Sequence, residues 1–195
     1  MPKGRLEAFS DGVIAILITI MVLELHMPKN STWGALRDEV PVLLAYLLSF
    51  VLLGIYWNNH HHMLAAVSRT SGAVLWANLH LLFWLSLVPF VTSWMSENHF
   101  AQVPVAVYGI VLIAAAAAYF VLQRTLLHVE GQNPELARAT GRDTKGRVSL
   151  VVYALGIGLS FADRWLGVAA YVAVAFIWLV PDRRVERTLT SPPER

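Results

Sequence analysis

Long apolar segments alternate with short polar ones along this chain, and the apolar segments have the length of helices that cross a bilayer. About 20 residues of α-helix, rising about 1.5 Å each, span the roughly 30 Å of bilayer hydrocarbon. Six segments approach this length, which predicts an all-α membrane protein with six transmembrane helices. The predicted spans are residues 9–27, 40–59, 72–95, 103–123, 147–162 and 165–181.

The connections between the spans predict how they are organised. Only Asp163 and Arg164 separate the last two spans, which predicts a tight helical hairpin. The chain has no convincing internal repeat over its whole length, so the pattern does not favour a transporter built from two inverted halves. We expect one transmembrane domain over residues 1–187, followed by a disordered tail over residues 188–195.

The composition agrees with a membrane protein and excludes several kinds of chemistry. Hydrophobic residues make up 56% of the 195 residues and charged residues only 14%, whereas about a quarter of a soluble domain is charged. There is no cysteine, which excludes disulfides, thiolate metal sites and cysteine nucleophiles. The motifs G-x-S-x-G, H-E-x-x-H and the P-loop are absent, so the sequence predicts neither an enzyme nor a small-molecule substrate. Tryptophans near predicted span ends are expected at the membrane interface: Trp33, Trp57, Trp94 and Trp165.

The basic residues are distributed unevenly between the two sides of the predicted bundle. If the N-terminus is cytoplasmic, only three of the fifteen lie outside: Lys29, Arg37 and Arg164. The other twelve lie on the cytoplasmic side: Lys3, Arg5, Arg69, Arg124, Arg138, Arg142, Lys145, Arg147, Arg183, Arg184, Arg187 and Arg195. Cytoplasmic loops of membrane proteins carry such an excess. We therefore expect a multi-pass protein of the cell (plasma) membrane with both termini in the cytoplasm. The basic residues do not form a stripe with interleaved aromatics, so no nucleic acid is expected as a partner.

The first span begins with a polar segment, RLEAFSD. Glu7 and Asp11 stand where a secretory signal peptide needs positive charge, and no A-x-A cleavage pattern follows, so we expect this helix to be retained. Asp11 at the membrane edge needs a partner such as Arg5 or a histidine. Alternatively, Ser10 and Asp11 form a helix N-cap.

A helical wheel at about 100° per residue divides the first span into two sides. One broad stripe consists of Phe9, Gly12, Ile16, Thr19, Ile20, Leu23 and Met27. The other side carries Asp11, Ala15, Ile18 and Val22. Thr19 has the only hydroxyl in the interior of the span, although such a hydroxyl can also bond to a backbone carbonyl three or four residues earlier.

Four residues at the head of the first span, Arg5, Phe9, Ser10 and Asp11, form the motif R-x-x-x-F-S-D. This motif resembles the signature of the transmembrane protein 175 family of lysosomal and prokaryotic potassium channels. Further segments resemble the next blocks of that family: GVIAILITIMVLEL after the motif, YWNNHHHM at residues 56–63 and LWANLHLLFWLSLVPF at residues 75–90. Six predicted spans match one family repeat, so the chain is similar to a prokaryotic single-repeat member.

The resemblance implies a potassium-permeable channel that assembles as a homotetramer in the lipid bilayer, with the first helix of each subunit lining the pore. It implies a hydrophobic constriction at Ile16, with further apolar rings at Ile20 and Leu23. Thr19 resembles a hydroxyl layer linked to potassium preference, because hydroxyl oxygens can replace part of an ion's hydration shell. Permeant K⁺ is expected in the pore near Thr19 and Ile16, and no cofactor is expected.

The resemblance also implies a polar network that supports the pore helix and does not itself conduct. Its expected members come from the first three spans, and the pairs among them stay open at this point. They are Arg5, Phe9, Ser10, Asp11, His60, His61, Trp76 and Asn78.

Other functional interpretations are weaker. The chain lacks the TVGYG filter of P-loop potassium channels and a voltage-sensing helix with arginine at every third position. Three consecutive histidines, residues 60–62, point about 100° apart on a helix and cannot all reach one ion, so we expect no metal site. A secondary transporter or proton-coupled carrier using Asp11 and the histidines is the alternative. Carriers hold their site near the membrane midplane on broken helices, whereas this polar cluster lies at one end of an apolar span.

Overall fold

A computed structural model describes residues 2–67, 70–131 and 144–179. These residues form α-helices and no β-strand. The helices are α1 (Lys3–Leu23), α2 (Trp33–Asp38), α3 (Val40–Ala65), α4 (Gly72–Ser86), α5 (Val88–Glu97), α6 (Gln102–Glu130), α7 (Thr144–Ser160) and α8 (Arg164–Leu179). The predicted all-α fold is confirmed.

Four segments are long and apolar enough to cross a bilayer. They are Lys3–Leu23, Val40–Ala65, Gly72–Glu97 and Gln102–Glu130, and they coincide with the first four predicted spans. The last two predicted spans coincide with shorter helices, α7 with 17 residues and α8 with 16. Within the described residues, the structure therefore supports four of the six spans by length and composition.

The first helix lies several residues closer to the N-terminus than predicted. It begins at Lys3 rather than at residue 9, and Lys3 and Glu7 form an ion pair of 3.7 Å across its first turn. It ends at Leu23, so Met27 lies beyond the helix. Ser10 and Asp11 are inside the helix, and the alternative that they form its N-cap is wrong.

The third predicted span is interrupted at Leu87. Helix α4 ends at Ser86 and α5 begins at Val88, with Pro89 in its first turn. Proline has no backbone N–H and its ring clashes with the preceding turn, so a continuous helix is broken there. The two helices still form one membrane-length segment, Gly72–Glu97.

Helix α6 is at the centre of the bundle, where it packs against α4, α5, α7 and α8. A cluster of buried hydroxyls ties it to its neighbours: Ser49 of α3 bonds to Thr92 of α5 at 2.7 Å and to Tyr108 of α6 at 2.9 Å. Helix α1 packs against α3, α4 and α5, which places it on a different side of the bundle from the α7–α8 pair.

The predicted hairpin after Ser160 joins α7 and α8. Asp163 Oδ1 accepts a hydrogen bond of 2.7 Å from the backbone N–H of Trp165, which caps the start of α8. Buried Gly156 and Gly167 let the two backbones approach closely, because a Cβ on Gly167 would lie 3.0 Å from the Gly156 carbonyl oxygen. In lipid the hydrophobic effect does not drive helices together, so small residues at such crossings stabilise the pair by allowing close van der Waals packing.

Several predictions concern residues outside the described part of the chain. They are the domain boundary at residue 187, the tail at residues 188–195, and the membrane side of Arg69, Arg138, Arg142, Arg183, Arg184, Arg187 and Arg195.

Candidate functional site

Helix α1 has one buried face and one exposed face. The buried face carries Leu6, Ser10, Ile14, Leu17 and Met21, spaced three or four residues apart. The opposite face is the predicted stripe up to the end of the helix, with Phe9, Gly12, Ile16, Thr19, Ile20 and Leu23 all exposed. The packing of the protomer therefore leaves this stripe uncovered.

The stripe is apolar except for the hydroxyl of Thr19. Ile16 is 56% exposed and Leu23 is 82% exposed. The Thr19 Oγ1 lies 2.9 Å from the carbonyl oxygen of Ile16 and 3.1 Å from that of Ala15, so its proton is donated to the helix's own backbone. This is the local bond that the sequence left open as an alternative. The lone pairs of the Thr19 oxygen point away from these two carbonyl oxygens and can coordinate a cation.

A buried chain of hydrogen bonds joins α1 to α3 and α4. The Ser10 hydroxyl donates to the Leu6 carbonyl at 2.9 Å and accepts from Asn78 Nδ2 at 2.9 Å. Asn78 Oδ1 then faces His60 Nε2 at 2.7 Å, which makes Nε2 the donor. Since each bond determines the direction of the next, His60 carries its proton on Nε2, and its buried Nδ1 has no partner among the described residues.

Asp11 is bonded to a residue that the predicted network did not contain. Trp57 Nε1 donates to Asp11 Oδ1 at 3.0 Å, and the Trp57 ring stacks on His61 with centroids 6.0 Å apart. Trp57 was interpreted only as an interface aromatic. Trp57 lies one turn before His61, a predicted member of the network, and this spacing is the sequence signal that could have placed Trp57 in the network.

Lys3 is a second contact that the sequence did not indicate. Its ammonium donates to the carbonyl oxygen of Ala65 at 2.8 Å, at the last turn of α3. Together with the bonds of Ser10 and Asp11, it ties the first half of α1 to its neighbours.

Other predicted members of the network are not brought together in the protomer. Trp76 is 75% exposed, and Arg5, Phe9 and His61 are also exposed. Among the described residues, the side chain of Arg5 has no hydrogen-bonding or ionic partner within the chain.

The three consecutive histidines do not converge. His60 is buried, whereas His61 and His62 are exposed and have ring centroids 5.6 Å apart. Within the described ranges there is no group of three His, Asp or Glu side chains that could hold a metal.

At the far end of α1, Glu24 Oε2 accepts a hydrogen bond of 3.2 Å from the Ser93 hydroxyl of α5. Between Asp11 and Glu24, no described side chain of α1 makes a hydrogen bond to another helix. The middle of α1 is therefore held by apolar contacts alone.

Comparison with known proteins decides the family. A potassium channel of Chryseobacterium sp. (strain P1-3) is 52% identical over 97% of this chain and 98% of its own length. A model described as endosomal/lysosomal potassium channel TMEM175 matches residues 5–89. This range holds the R-x-x-x-F-S-D motif and all the residues of the buried network. The chain belongs to the TMEM175 channel family.

Two further comparisons extend the likeness. A potassium channel of Streptomyces collinus is 34% identical over 90% of this chain and 91% of its own length. A crystal structure of a homologue of the lysosomal potassium-selective channel TMEM175, from Chamaesiphon minutus, superposes with a TM-score of 0.79 at 32% identity, covering 93% of this chain and 97% of that one. The TMEM175 membership makes this a multi-pass membrane channel protein and not an enzyme.

Proposed function

We propose that this protein is a potassium-permeable cation channel of the cell membrane, built as a homotetramer whose pore is lined by α1. The names of the relatives support the choice of ion, since the Chryseobacterium and Streptomyces proteins are named potassium channels. Each relative aligns with this chain over at least 90% of both lengths, which supports assigning the relatives' whole activity to this protein.

The exposed stripe of α1 is the observation that carries the proposal. A single helix cannot enclose a path for ions, but four copies around a common axis can. The stripe lies opposite the face that α1 buries against its own bundle, so all four subunits can present it to the axis at once. Each subunit would contribute a domain over residues 1–187 with six spans, and the four domains together would surround this axis.

The gate in this proposal is a hydrophobic constriction. Four copies of Ile16 would narrow the axis most, with rings of Ile20 and Leu23 following within two turns. Isoleucine offers no oxygen to replace ion hydration, so a narrow ring of this kind excludes water and ions. Since no interhelical hydrogen bond of α1 lies between Asp11 and Glu24 among the described residues, widening the ring would break only apolar contacts.

Thr19 is proposed as the residue that favours K⁺. Its proton is donated to the backbone, so four hydroxyl oxygens facing the axis would act as acceptors towards a cation. The route needs no P-loop filter and no cofactor besides the permeant ion. The buried chain from Ser10 to His60 and the Asp11–Trp57 bond would hold the cytoplasmic half of α1 still.

The basic residues support the proposed membrane orientation. Five basic residues lie at the end of the bundle that carries the start of α1: Lys3, Arg5, Arg124, Lys145 and Arg147. The bond of Lys3 to Ala65 places the start of α1 beside the end of α3. The positive-inside rule makes this side cytoplasmic.

The proposal is tested by potassium flux in liposomes under a potassium gradient, comparing wild type with Ile16→Asn. A polar ring should admit water and raise the flux about tenfold, which is a barrier lower by about 1.4 kcal/mol. Val22→Asn is the matched control, since Val22 is exposed on α1 but lies off the stripe. Equal flux for all three proteins contradicts the constriction, and flux that requires a proton gradient favours a carrier using Asp11 and the histidines.

A further inference from the structure

A groove opens on the bundle between α3, α6, α7 and α8, and none of its lining residues belongs to α1. It holds about 550 Å³ of space, part of it open to the surroundings. Its walls include Tyr56, Ala116, Phe120, Ser149, Tyr153 and Trp178. The lining is mainly aliphatic and aromatic, with a few polar groups at fixed places, as in sites for small amphipathic molecules.

The groove is short enough to lie within one leaflet of a bilayer. On α3 it runs from Leu52 to Asn59, seven residues or about 10 Å along the helix, against a leaflet hydrocarbon depth of about 15 Å. Asn59 is near the end of α3, and Gly146 is near the start of α7, so the groove reaches the end of the bundle that carries Lys3. Its deeper part, at Leu52 and Tyr153, is apolar.

Basic groups flank the groove at that end. The guanidinium of Arg124 lies 4.9 Å from the ring centroid of Phe120, and the ammonium of Lys145 lies 5.9 Å from that of Trp178. Both rings are walls of the groove, on α6 and α8. The described residues of α6 and α7 contain three basic residues, Arg124, Lys145 and Arg147, against one acidic residue, Glu130.

Polar groups at the same level are arranged by the protein itself. Trp178 Nε1 donates to the Ser149 hydroxyl at 2.9 Å, and Ser149 donates to the Lys145 carbonyl at 2.8 Å. These bonds hold the Trp178 ring across the groove, beside the basic groups. The groove thus combines an apolar trough in the hydrocarbon with positive charge at the headgroup level.

We infer that this groove binds an anionic phospholipid, with one acyl chain between α3, α6 and α7 and the phosphate between Arg124 and Lys145. Apolar walls alone would accept any lipid, and the two basic groups supply a preference for negative headgroups. One basic residue near the membrane surface is worth about a fivefold preference for an anionic lipid. The inference requires only that the helices lie in a bilayer, so it does not depend on the pore assignment.

The test is native mass spectrometry of the purified, assembled channel, equilibrated with equal amounts of phosphatidylglycerol and phosphatidylcholine. Wild type should retain phosphatidylglycerol in excess, and Arg124→Gln should lower that excess about fivefold. Arg37→Gln, which removes a charge from α2 and not from the groove, should leave it unchanged.

Filling the apolar part of the groove with a larger side chain provides a second test with its own control. Ala116 lines the groove and Ala117 is its exposed neighbour outside it. Ala116→Phe should abolish lipid retention, whereas Ala117→Phe should retain lipid as wild type does. Equal retention by the two variants, or equal retention of both lipids by wild type, overturns the inference. If Ala116→Phe folds but its subunits do not assemble, the inference is also overturned, because another subunit would then cover the groove. If Ala116→Phe does not fold, the comparison of Arg124→Gln with wild type decides.

Discussion

The indole of Trp57 donates a 3.0 Å hydrogen bond to the carboxylate of Asp11 and so joins α3 to α1 next to the polar head of the candidate pore helix. The two residues are 46 positions apart in the chain. An aspartate inside a membrane helix is costly unless a donor meets it. The bond therefore explains how α1 carries a carboxylate on the same helix as its apolar stripe.

Replacing Trp57 by phenylalanine should destabilise the protein. An aromatic side chain is kept but the donor to Asp11 is lost, and a hydrogen bond to a partly exposed carboxylate is worth about 1 kcal/mol. A protein of this size should then melt about 2–4 °C lower. Thermal unfolding in detergent measures this. Trp76→Phe is the control, since Trp76 is 75% exposed, and an equal loss in both variants would count against the role of the bond.

Replacing Asn78 by alanine should have a larger effect. Asn78 is fully buried between Ser10 and His60. Its loss leaves the buried Nε2–H of His60 without an acceptor and leaves the Ser10 hydroxyl with only its bond to the Leu6 carbonyl. A buried donor left unsatisfied costs about 1–3 kcal/mol. We expect a marked drop in melting temperature and in the yield of assembled protein. Asn58→Ala, on the exposed side of α3, should behave as wild type; similar yields for the two variants would contradict the role of the chain.

Alanine substitutions at two glycines of α7 should differ in their effect on stability, because only one of the two glycines lies at the α7–α8 crossing. A Cβ on buried Gly156 would lie 2.7 Å from Tyr171 Cε1 and 2.9 Å from Ala170 Cβ, whereas one on Gly158 meets nothing within 4 Å. Gly156→Ala should cost about 1–3 kcal/mol through overpacking. Gly158→Ala should be neutral, or stabilise by up to about 1 kcal/mol through helix propensity. Melting temperatures measure both, and a neutral Gly156→Ala would show that the crossing is looser than described.

Removing the Thr19 hydroxyl should weaken the preference for K⁺ over Na⁺. Thr19→Val keeps the shape of the side chain and removes its oxygen, so a preference that rests on one hydroxyl layer should fall about fivefold, for roughly 1 kcal/mol of lost coordination. Reversal potentials under K⁺ and Na⁺ gradients measure this. Thr19→Ser keeps the oxygen and should keep the preference, and an unchanged reversal potential in Thr19→Val would remove the assigned role.

Much of this protein could be predicted without coordinates. Apolar run lengths predicted an all-helical membrane fold, because a bilayer requires about 20 apolar residues per crossing. Two residues between the last spans predicted the hairpin around Asp163. The segment from Arg5 to Asp11 indicated the family that the comparisons confirm.

The partners of these residues were decided by packing. Asn78 meets Ser10 across 68 residues of sequence, and Trp57 meets Asp11 across 46, because α3 and α4 cross α1 at particular heights. Local spacing carries no information about such crossings. For the same reason Trp57 could be interpreted only as an interface aromatic, and Lys3 had no visible partner.

Sequence patterns also predicted the stripe of α1, but they could not show which face the bundle would bury. In a soluble helix the polar face marks the exposed side, whereas in lipid both faces of a helix are apolar and the wheel shows little contrast. Ile14 and Ile16 are the same residue type two positions apart, yet Ile14 is fully buried and Ile16 is 56% exposed. That difference arises only when α3, α4 and α5 pack against one side of α1 and leave the other side open.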